Sequence, residues 1–468
     1  MTPTALVLEN PWKPCDLRGV YPQPVSPALF CRIGGAIGTM LPAHSRVVVA
    51  GDFRLSTPQL KKALTEGLMQ TGARVLDAGQ CPTPVAYFTA KETGVGAVLI
   101  VTASHNPPAH NGLKLMLGAE PTTPEQFAEV RSIAESGAFR TGAGSVELID
   151  PSPAYVQAMM QRWTHLRRAQ RTRVVLDPGN GAWSELAPAI FAQFGFESDC
   201  ISCFADGRFP DRSPDCARAS NLARLSEAVR RLPGAIGVAW DGDGDRVAFV
   251  DEDGRYVTPD EIAMLFTRAA LANTSLGANR KIVVDLKCSE AVPREVLQQG
   301  GVPLHERTGH AFMRRRMVTE DALLGLDACG HYFFRELNGS DDGLFAAIYL
   351  LDLVRKSGVS LRELRCSLPR IFATPEIRIP LSAVPYVKAC DALACAFPGT
   401  GLTQIDGLRF AMSDGVVLLR ESGTEPVLSL RIEGFSADAH ARILAQCLQS
   451  LPEAARLLEP NTRNMYTA

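Results

Sequence analysis

Three short segments of this 468-residue chain carry side chains that could do chemistry together. Thr102, Ala103, Ser104, His105, Asn106 and Pro107 follow the apolar run Val98 to Val101, which reads as a buried strand ending in a loop. That puts a hydroxyl at the carboxyl end of a strand, where open α/β sheets place their chemistry. Ser104 is a poor nucleophile until a base or metal activates it. His105 is a candidate base, although neighbours on an extended chain point to opposite sides. The second segment, Asp241, Gly242, Asp243, Gly244, Asp245 and Arg246, sets three carboxylates within five residues. Such a cluster repels itself unless a cation neutralises it, and alternating carboxylates suit Mg²⁺, with Arg246 beside a phosphate that bridges to the metal. A calcium loop is the competing reading, since Asp241, Asp243, Asp245 and Glu252 fall at EF-hand positions 1, 3, 5 and 12. Position 6 of that loop demands glycine and here holds Arg246, and Val247 to Val250 continue as a strand. The third segment, Arg420 to Pro426 with Arg431 beyond it, gathers guanidinium groups, the Ser422 and Thr424 hydroxyls and the Gly423 turn into a phosphate cradle. Together these segments point to phosphoryl transfer through a phosphoserine, with the cradle holding the substrate's non-reacting end. Between them, the turn Asp327, Ala328, Cys329, Gly330, His331 offers a carboxylate and an imidazole that could bind sugar hydroxyls or move a proton.

The elements that must position these groups follow from periodicity. Arg46 to Asp52, Arg173 to Asp177 and Lys281 to Asp285 each read as a basic residue, a β-branched run and a polar turn. They begin roughly 110–130 residues apart, a spacing of small α/β domains rather than of a solenoid. Between them, 58–71, 222–232 and 260–272 place apolar residues at helical spacing. Strand-helix alternation predicts an α/β fold with doubly wound parallel sheets. From about Cys366 the pattern changes to short strands (Ile377 to Ile379, Val416 to Leu419, Val427 to Ile432) and helices over 384–396 and 437–451, a smaller α+β unit. The Asp150 to Pro153 stretch reads as a linker and Asp251 to Gly254 as a hairpin turn. The expected domains are therefore 1–150 with the serine loop, 151–250 with the acidic loop, 251–365 with the Asp327 to His331 turn, and 366–468 with the phosphate cradle.

Composition limits the partners. With 46% hydrophobic and 21% charged residues and a formal net charge of −2, the chain suits a globular protein and not a nucleic-acid or membrane-surface binder. The basic run Arg162, Arg167, Arg168, Arg171, Arg173 reads as a solvated interdomain helix. The first residues lack a charged n-region with a long apolar h-region, and no stretch approaches a membrane span, so a cytoplasmic location is expected. The 12 cysteines are scattered, and the single CxxC, Cys200 to Cys203, lacks a second pair for zinc. Reduced thiols are expected.

In order and spacing, these loops resemble those of the α-D-phosphohexomutases, nearest the bacterial phosphomannomutase/phosphoglucomutase group, over nearly the whole chain. Cys15, Asp16, Leu17, Arg18, Gly19 is similar to that family's Tyr-Asp-Ile-Arg-Gly segment, with tyrosine replaced. Thr102 to Pro107 resembles its phosphoserine loop, followed by Asn111 to Lys114; Asp241 to Arg246 its metal loop; then Lys287, and the Thr308, Gly309, His310 turn. The resemblance implies three similar doubly wound α/β domains plus a smaller, hinged C-terminal α+β domain around a central cleft. It implies that Ser104, Asp241, Asp243 and Asp245 hold Mg²⁺, and that Arg18, Lys114, Arg246 and His331 surround the transferring phosphoryl group. Lys287, His310, Asp327 and Cys329 would face the sugar, and Arg420, Ser422, Gly423, Thr424 and Arg431 its distal phosphate. A hexose 1,6-bisphosphate would act as activator, and the enzyme would be a monomer or weak homodimer acting on small sugar phosphates. The family's sugar loop reads Gly-Glu-x-Ser-Gly-His, whereas Leu326, Asp327, Ala328, Cys329, Gly330 and His331 stand here. A shorter acid and a weakly hydrogen-bonding thiol in that loop leave open whether glucose, mannose or glucosamine phosphate is preferred, and whether the protein binds sugar phosphates with little turnover.

Overall fold

A computed structural model describes residues 10–118, 120–168, 172–273, 279–374, 376–422 and 426–457. Four sheets follow one another along the chain. The first contains β1 (Asp16–Val20), β2 (Arg46–Gly51), β3 (Arg74–Gln80), β4 (Ala97–Val101), β5 (His110–Leu117), β6 (Glu120–Pro121) and β7 (Ser145–Leu148), in the order β1-β5-β4-β2-β3-β7 with β6 on β5. The second contains β8 (Arg173–Asp177), β9 (Glu197–Cys200), β10 (Ile236–Trp240), β11 (Val247–Val250) and β12 (Tyr256–Val257), ordered β12-β11-β10-β8-β9. The third contains β13 (Lys281–Asp285), β14 (Val302–Glu306), β15 (Leu324–Leu326), β16 (Tyr332–Phe334) and β17 (Ser340–Asp341), ordered β14-β13-β15-β16-β17. The fourth contains β18 (Phe372–Ala373), β19 (Ile377–Pro380), β20 (Gly401–Thr403), β21 (Leu408–Ala411), β22 (Gly415–Glu421) and β23 (Val427–Gly434), and all its pairings are antiparallel.

The three basic-then-branched runs are β2, β8 and β13, each with its inner residues fully buried. Strands covered on both faces lose the polar alternation of a half-exposed sheet, which is why these runs read as continuous Val and Ile. The parallel expectation holds only for the inner strands. β2 is parallel to β3 and β4, β8 to β9 and β10, and β13 to β14 and β15. Each sheet then continues through antiparallel pairs, β4/β5/β1, β10/β11/β12 and β15/β16/β17. The result is a mixed sheet. A chain that turns straight back after its central parallel strand makes a hairpin, and the acidic loop is the turn of one, with Trp240 opposite Val247.

One buried cluster runs continuously through the first three sheets. It includes Val48, Ile100, Trp183, Phe191, Trp240, Phe249, Val284, Tyr332 and Phe345. A separate cluster, with Ile379, Val417, Leu430 and Ile443, fills the fourth. The first three units are thus welded by shared apolar packing. The fourth meets the third through polar contacts: Arg431 Nη2 donates to Asp260 Oδ2 at 2.8 Å, Ser289 Oγ to Glu433 Oε1 at 2.7 Å, and Lys287 Nζ lies 3.2 Å from Glu376. No helix among the described residues is long and apolar enough to cross a membrane. All 12 cysteines are free.

Candidate active site

The serine loop begins where β4 ends. Ser104 has φ +50 and is fully buried, and its N–H donates to Thr102 Oγ1 at 2.9 Å. The left-handed backbone reverses the direction of the chain at this residue, so the adjacent His105 ring returns to within 3.3 Å of the Ser104 hydroxyl through Nδ1. The extended-chain argument against that pair fails for this reason. His105 is held well below the ordinary histidine value by burial and then by Arg246 and Arg18, so its ring is neutral.

What fixes the loop is a residue with no sequence motif around it. Arg54 is fully buried, and its guanidinium donates to the carbonyls of Ser104 (2.7 Å), Asn106 (2.6 Å), Pro107 (2.7 Å) and His110 (3.1 Å). Asp52, at the end of β2, accepts Arg54 Nε at 3.0 Å, Thr57 Oγ1 at 2.7 Å and Thr102 Oγ1 at 2.8 Å. A buried ion pair with every polar atom engaged specifies one arrangement. The Asp52 to Arg54 pair thus sets the height of Ser104 above the sheet.

The acidic loop meets it directly. Ser104 Oγ donates to Asp241 Oδ2 at 2.8 Å. A Cβ at Gly242 would lie 2.6 Å from the Ser104 carbonyl, so glycine is required for the two loops to approach. Asp241 Oδ1 accepts the N–H groups of Gly244 (3.0 Å) and Arg246 (3.2 Å), which folds the loop around its own carboxylate. Thr83, from the helix Thr83–Thr93, braces the loop: its N–H donates to the Asp243 carbonyl at 2.9 Å and its hydroxyl to Asp243 Oδ2 at 2.7 Å. Lys114, on β5, inserts its ammonium between Asp243 Oδ2, at 2.6 Å, and Asp245 Oδ2.

The three aspartates are buried, and one oxygen from each lies within 4.8 Å of the other two. Burial and the neighbouring Asp243 and Asp245 charges push Asp241 up to about 8. Burial and Asp245 also work against ionisation of Asp243, but the Lys114 ammonium and the Thr83 hydroxyl outweigh them and hold it low. Asp243 Oδ1 has no hydrogen-bond partner among the described residues. An all-oxygen donor set with an unpartnered buried carboxylate oxygen fits a hard divalent cation, and nothing in it favours a soft metal. Arg246 occupies the position where the calcium-type loop would need glycine, and β11 follows it as a strand.

The Asp327 to His331 turn closes on the same place. Arg246 and His331 pair as an isolated antiparallel bridge, and Val247 N–H donates to the Gly330 carbonyl at 3.1 Å. Gly330 has φ +93, and a Cβ there would come within 2.8 Å of the Val247 carbonyl. Arg246 Nε lies 3.2 Å from His331 Nε2, and Asp245 Oδ1 is 3.4 Å from the same nitrogen. Burial opposes the charged form of His331, but the Asp327 carboxylate and then Asp245 hold the ring well above the usual histidine value. Cys329 is half-buried, and burial raises its thiol. His310, partly buried at the start of the helix His310–Glu320, is pushed down to about 3 by burial and then by Lys114. Arg18, on β1, spans Asp16 Oδ2 at 2.8 Å and Asn106 Oδ1 at 3.4 Å.

From His331 the polar surface continues toward the fourth sheet. Asp285 accepts Thr308 Oγ1 at 2.7 Å and is raised to about 6 by burial and then Asp327. Lys287 follows it and is held high, against burial, by Cys329, Glu376 and Asp285, while Arg420 opposes this. Arg420 pairs with Asp406 at 2.8 Å. Ser422 N–H donates to the Val427 carbonyl at 2.9 Å. Gly423 and Thr424 lie outside the described residues. Arg431 is turned into the seam with the third unit, donating to Asp260 Oδ2 and to the Lys287 carbonyl.

Sequence reasoning did not reach Arg54, Thr83 or Asp341. Asp341 ends β17, and both its oxygens are buried with no hydrogen-bond partner among the described residues. One lies 3.9 Å from His331 Nε2. Asp341 also lines a cavity of about 230 Å³, with Tyr87, Met116, Tyr155 and Phe345. Burial and then Asp245 raise Asp341 to about 7 from 3.8. The unfolded chain therefore ionises this group before the folded protein does, and the penalty grows from about pH 4 to about pH 7. Asp341→Asn is expected to stabilise magnesium-free protein at pH 8 by up to a few kcal/mol, raising its melting temperature, and to have no such effect near pH 5. Thermal melts at the two pH values check this; an equal shift at both would remove the electrostatic explanation.

Comparison with known proteins agrees with this layout. Four family models match in order: "Phosphoglucomutase/phosphomannomutase, alpha/beta/alpha domain I" over residues 13–141, domain II over 153–254, domain III over 258–372, and the "C-terminal domain" over 372–450. The chain is 34% identical over 433 residues to the phosphomannomutase/phosphoglucomutase of Pseudomonas aeruginosa, covering 92% of each. It is 33% identical over 448 residues to the phosphoglucomutase of Neisseria gonorrhoeae, covering 94% of this chain and 95% of that one. The crystal structure of a phosphoglucomutase/phosphomannomutase family protein from Burkholderia thailandensis superposes with a TM-score of 0.86 at 34% identity, covering 95% of this chain and 98% of that chain.

Proposed function

The chain belongs to the phosphoglucomutase/phosphomannomutase family, and from that premise we propose that it interconverts hexose 1-phosphates and hexose 6-phosphates through a phosphoserine at Ser104. The observation that carries this reading is the Ser104 hydroxyl, 2.8 Å from Asp241 within a buried acidic triad, with Lys114, Arg246 and His331 gathered around the same loops. Three carboxylates buried side by side disfavour one another's ionisation unless a cation neutralises them.

In this reading Ser104 carries a phosphoryl group and passes it to the free hydroxyl of a sugar monophosphate. The bisphosphate formed then reverses and returns its other phosphate to the serine. A hexose 1,6-bisphosphate added from outside enters the same cycle as an activator. Asp241, Asp243 and Asp245, with the Ser104 oxygen, would hold Mg²⁺, which supplies fixed positive charge against the phosphate oxygens. Arg18, Lys114 and Arg246 add further positive charge around the transferring group, where positioning and neutralisation carry most of the catalysis. In the first half-reaction the net proton movement is from the sugar hydroxyl to the serine oxygen, and in the second it runs back from the serine hydroxyl to the sugar oxygen that loses its phosphate. His331 Nε2 is the proton acceptor on the sugar side, and His105, 3.3 Å from Ser104 Oγ, serves the serine side. Binding of the cation would neutralise Asp245 and so remove one of the two charges that hold the His331 ring protonated. Lys287, His310 and Cys329 face the sugar, and Arg420, Ser422, Gly423, Thr424 and Arg431 the distal phosphate. Arg431 would leave Asp260 to do so. The polar seam between the third and fourth units can open and reclose without exposing a hydrophobic core.

The test is product analysis with the 1-phosphates of glucose, mannose and glucosamine, with Mg²⁺ and a hexose 1,6-bisphosphate primer. Formation of the matching 6-phosphate from at least one is the expected result, and the relative kcat/KM values rank the sugars. Failure on all three with primer present would overturn the mutase reading and leave sugar-phosphate binding, seen as ligand-dependent thermal stabilisation.

A further inference from the structure

We propose that Asp327 is a positioning residue that fixes the His331 imidazole, and not a group that reads the sugar ring. The inference deepens the mutase reading and rests on it. Asp327 Oδ1 accepts the N–H groups of Cys329 at 2.8 Å and His331 at 2.9 Å, and Oδ2 lies 2.6 Å from His331 Nδ1. The Asp327 N–H in turn donates to the His331 carbonyl at 3.3 Å. The residue is 3% exposed. Both carboxylate oxygens are thus engaged inside a turn of five residues, and neither reaches a ligand without breaking the turn that places His331.

The length of the side chain decides this. A carboxylate on one methylene can reach the backbone N–H groups two and four residues ahead and still meet the imidazole, as an Asx turn does. Gly330 at φ +93 keeps the loop tight enough for all three contacts, and the Arg246 to His331 bridge anchors its far side. A carboxylate at 2.6 Å keeps the proton on Nδ1 in both the neutral and the charged ring. Proton exchange is thereby confined to Nε2, the nitrogen that faces Arg246 Nε at 3.2 Å, Asp245 Oδ1 at 3.4 Å and Asp341 Oδ2 at 3.9 Å. His331 meets the reacting centre with one defined nitrogen, and Asp327 acts only through it.

Asp327→Asn separates the two roles. The amide oxygen keeps the backbone N–H bonds, so the amide N–H groups face Nδ1 and force the proton to Nε2. The expected result is a kcat lower by about 10²-fold or more, with KM for the hexose phosphate unchanged within a factor of about two. A raised KM with preserved kcat would put the carboxylate on the sugar and overturn the proposal, as would unchanged kinetics. A second measurement needs neither a variant nor turnover. Nitrogen NMR of the histidine rings in the wild-type protein, without sugar, is expected to show His331 Nδ1 protonated at pH 7; an unprotonated Nδ1 would overturn the proposal by itself. A wild type that turns over no hexose phosphate but keeps Nδ1 protonated would refute the mutase reading and not this geometry.

Discussion

Ser104→Ala is expected to lose turnover by about 10⁴-fold or more and to take up no phosphoryl group, because the threonine hydroxyls of the two loops, among the described residues, are committed elsewhere. Thr102 Oγ1 is 2.8 Å from Asp52 Oδ2 and also accepts the Ser104 N–H. Thr83 Oγ1 is committed to Asp243 Oδ2 at 2.7 Å. The loop's shape does not depend on the Ser104 hydroxyl. Arg54 holds four carbonyls between Ser104 and His110, so alanine leaves the backbone in place and removes one oxygen. Intact mass after incubation with a hexose 1,6-bisphosphate checks the point: the wild type gains about 80 Da and the variant none. A variant that still gained this mass, or still turned over at a rate near that of the wild type, would move the phosphoryl carrier to another residue.

The parts of this site that were legible in the sequence are those built from contiguous residues. The acidic loop announces itself because its ligands alternate with glycines, and those glycines have local reasons: Gly242 lets the serine loop approach, and Gly244, at φ +84, sits against the Trp183 indole. β2, β8 and β13 were readable because double-sided burial leaves an uninterrupted β-branched run. Arg54 was not. Its partners are carbonyls about fifty residues away on another strand end, and a carbonyl has no residue type to notice. The His105 to Ser104 contact is not legible in the sequence, because it depends on one backbone angle, +50 at Ser104, which leaves no trace in composition. Asp341 escaped notice for a similar reason. The neighbouring Asp342 caps the helix Gly343–Ser357, accepting from Leu344 and Phe345 N–H, while Asp341 turns toward His331. The mixed character of the sheets was missed where a hairpin follows a parallel strand, since the strand pattern does not say which way its neighbour runs.

Asp243→Asn is expected to lower activity by about 10²-fold or more and to raise the magnesium concentration needed for half-maximal rate by about 10-fold or more, although it is isosteric. Asp243 Oδ2 accepts from both Lys114 Nζ, at 2.6 Å, and Thr83 Oγ1, at 2.7 Å, while Oδ1 is buried and unpartnered among the described residues. An asparagine has two ways to sit there, and each fails. With its nitrogen at the Oδ2 position, N–H groups oppose an ammonium and a hydroxyl that were donating. With its nitrogen at the Oδ1 position, a donor points to where the cation would bind. Either way a unit of negative charge is lost at the place where phosphate must be held. Activity measured as a function of Mg²⁺ checks this, and a normal rate at low Mg²⁺ would count against the triad as the cation site. The same substitution also opposes Asp341→Asn in sign. Asp243 is held below 3.8 by Lys114 and Thr83, against burial, so its charge contributes stability that is present above the unfolded value and lost as pH falls through the folded one. Asp341, held at about 7, destabilises the fold over the range in which Asp243 supports it. Melts of magnesium-free protein near pH 8 should therefore move down for Asp243→Asn and up for Asp341→Asn. A shift in the same direction for both would mean that total charge, and not the place of each carboxylate beside Lys114, governs the stability of the centre.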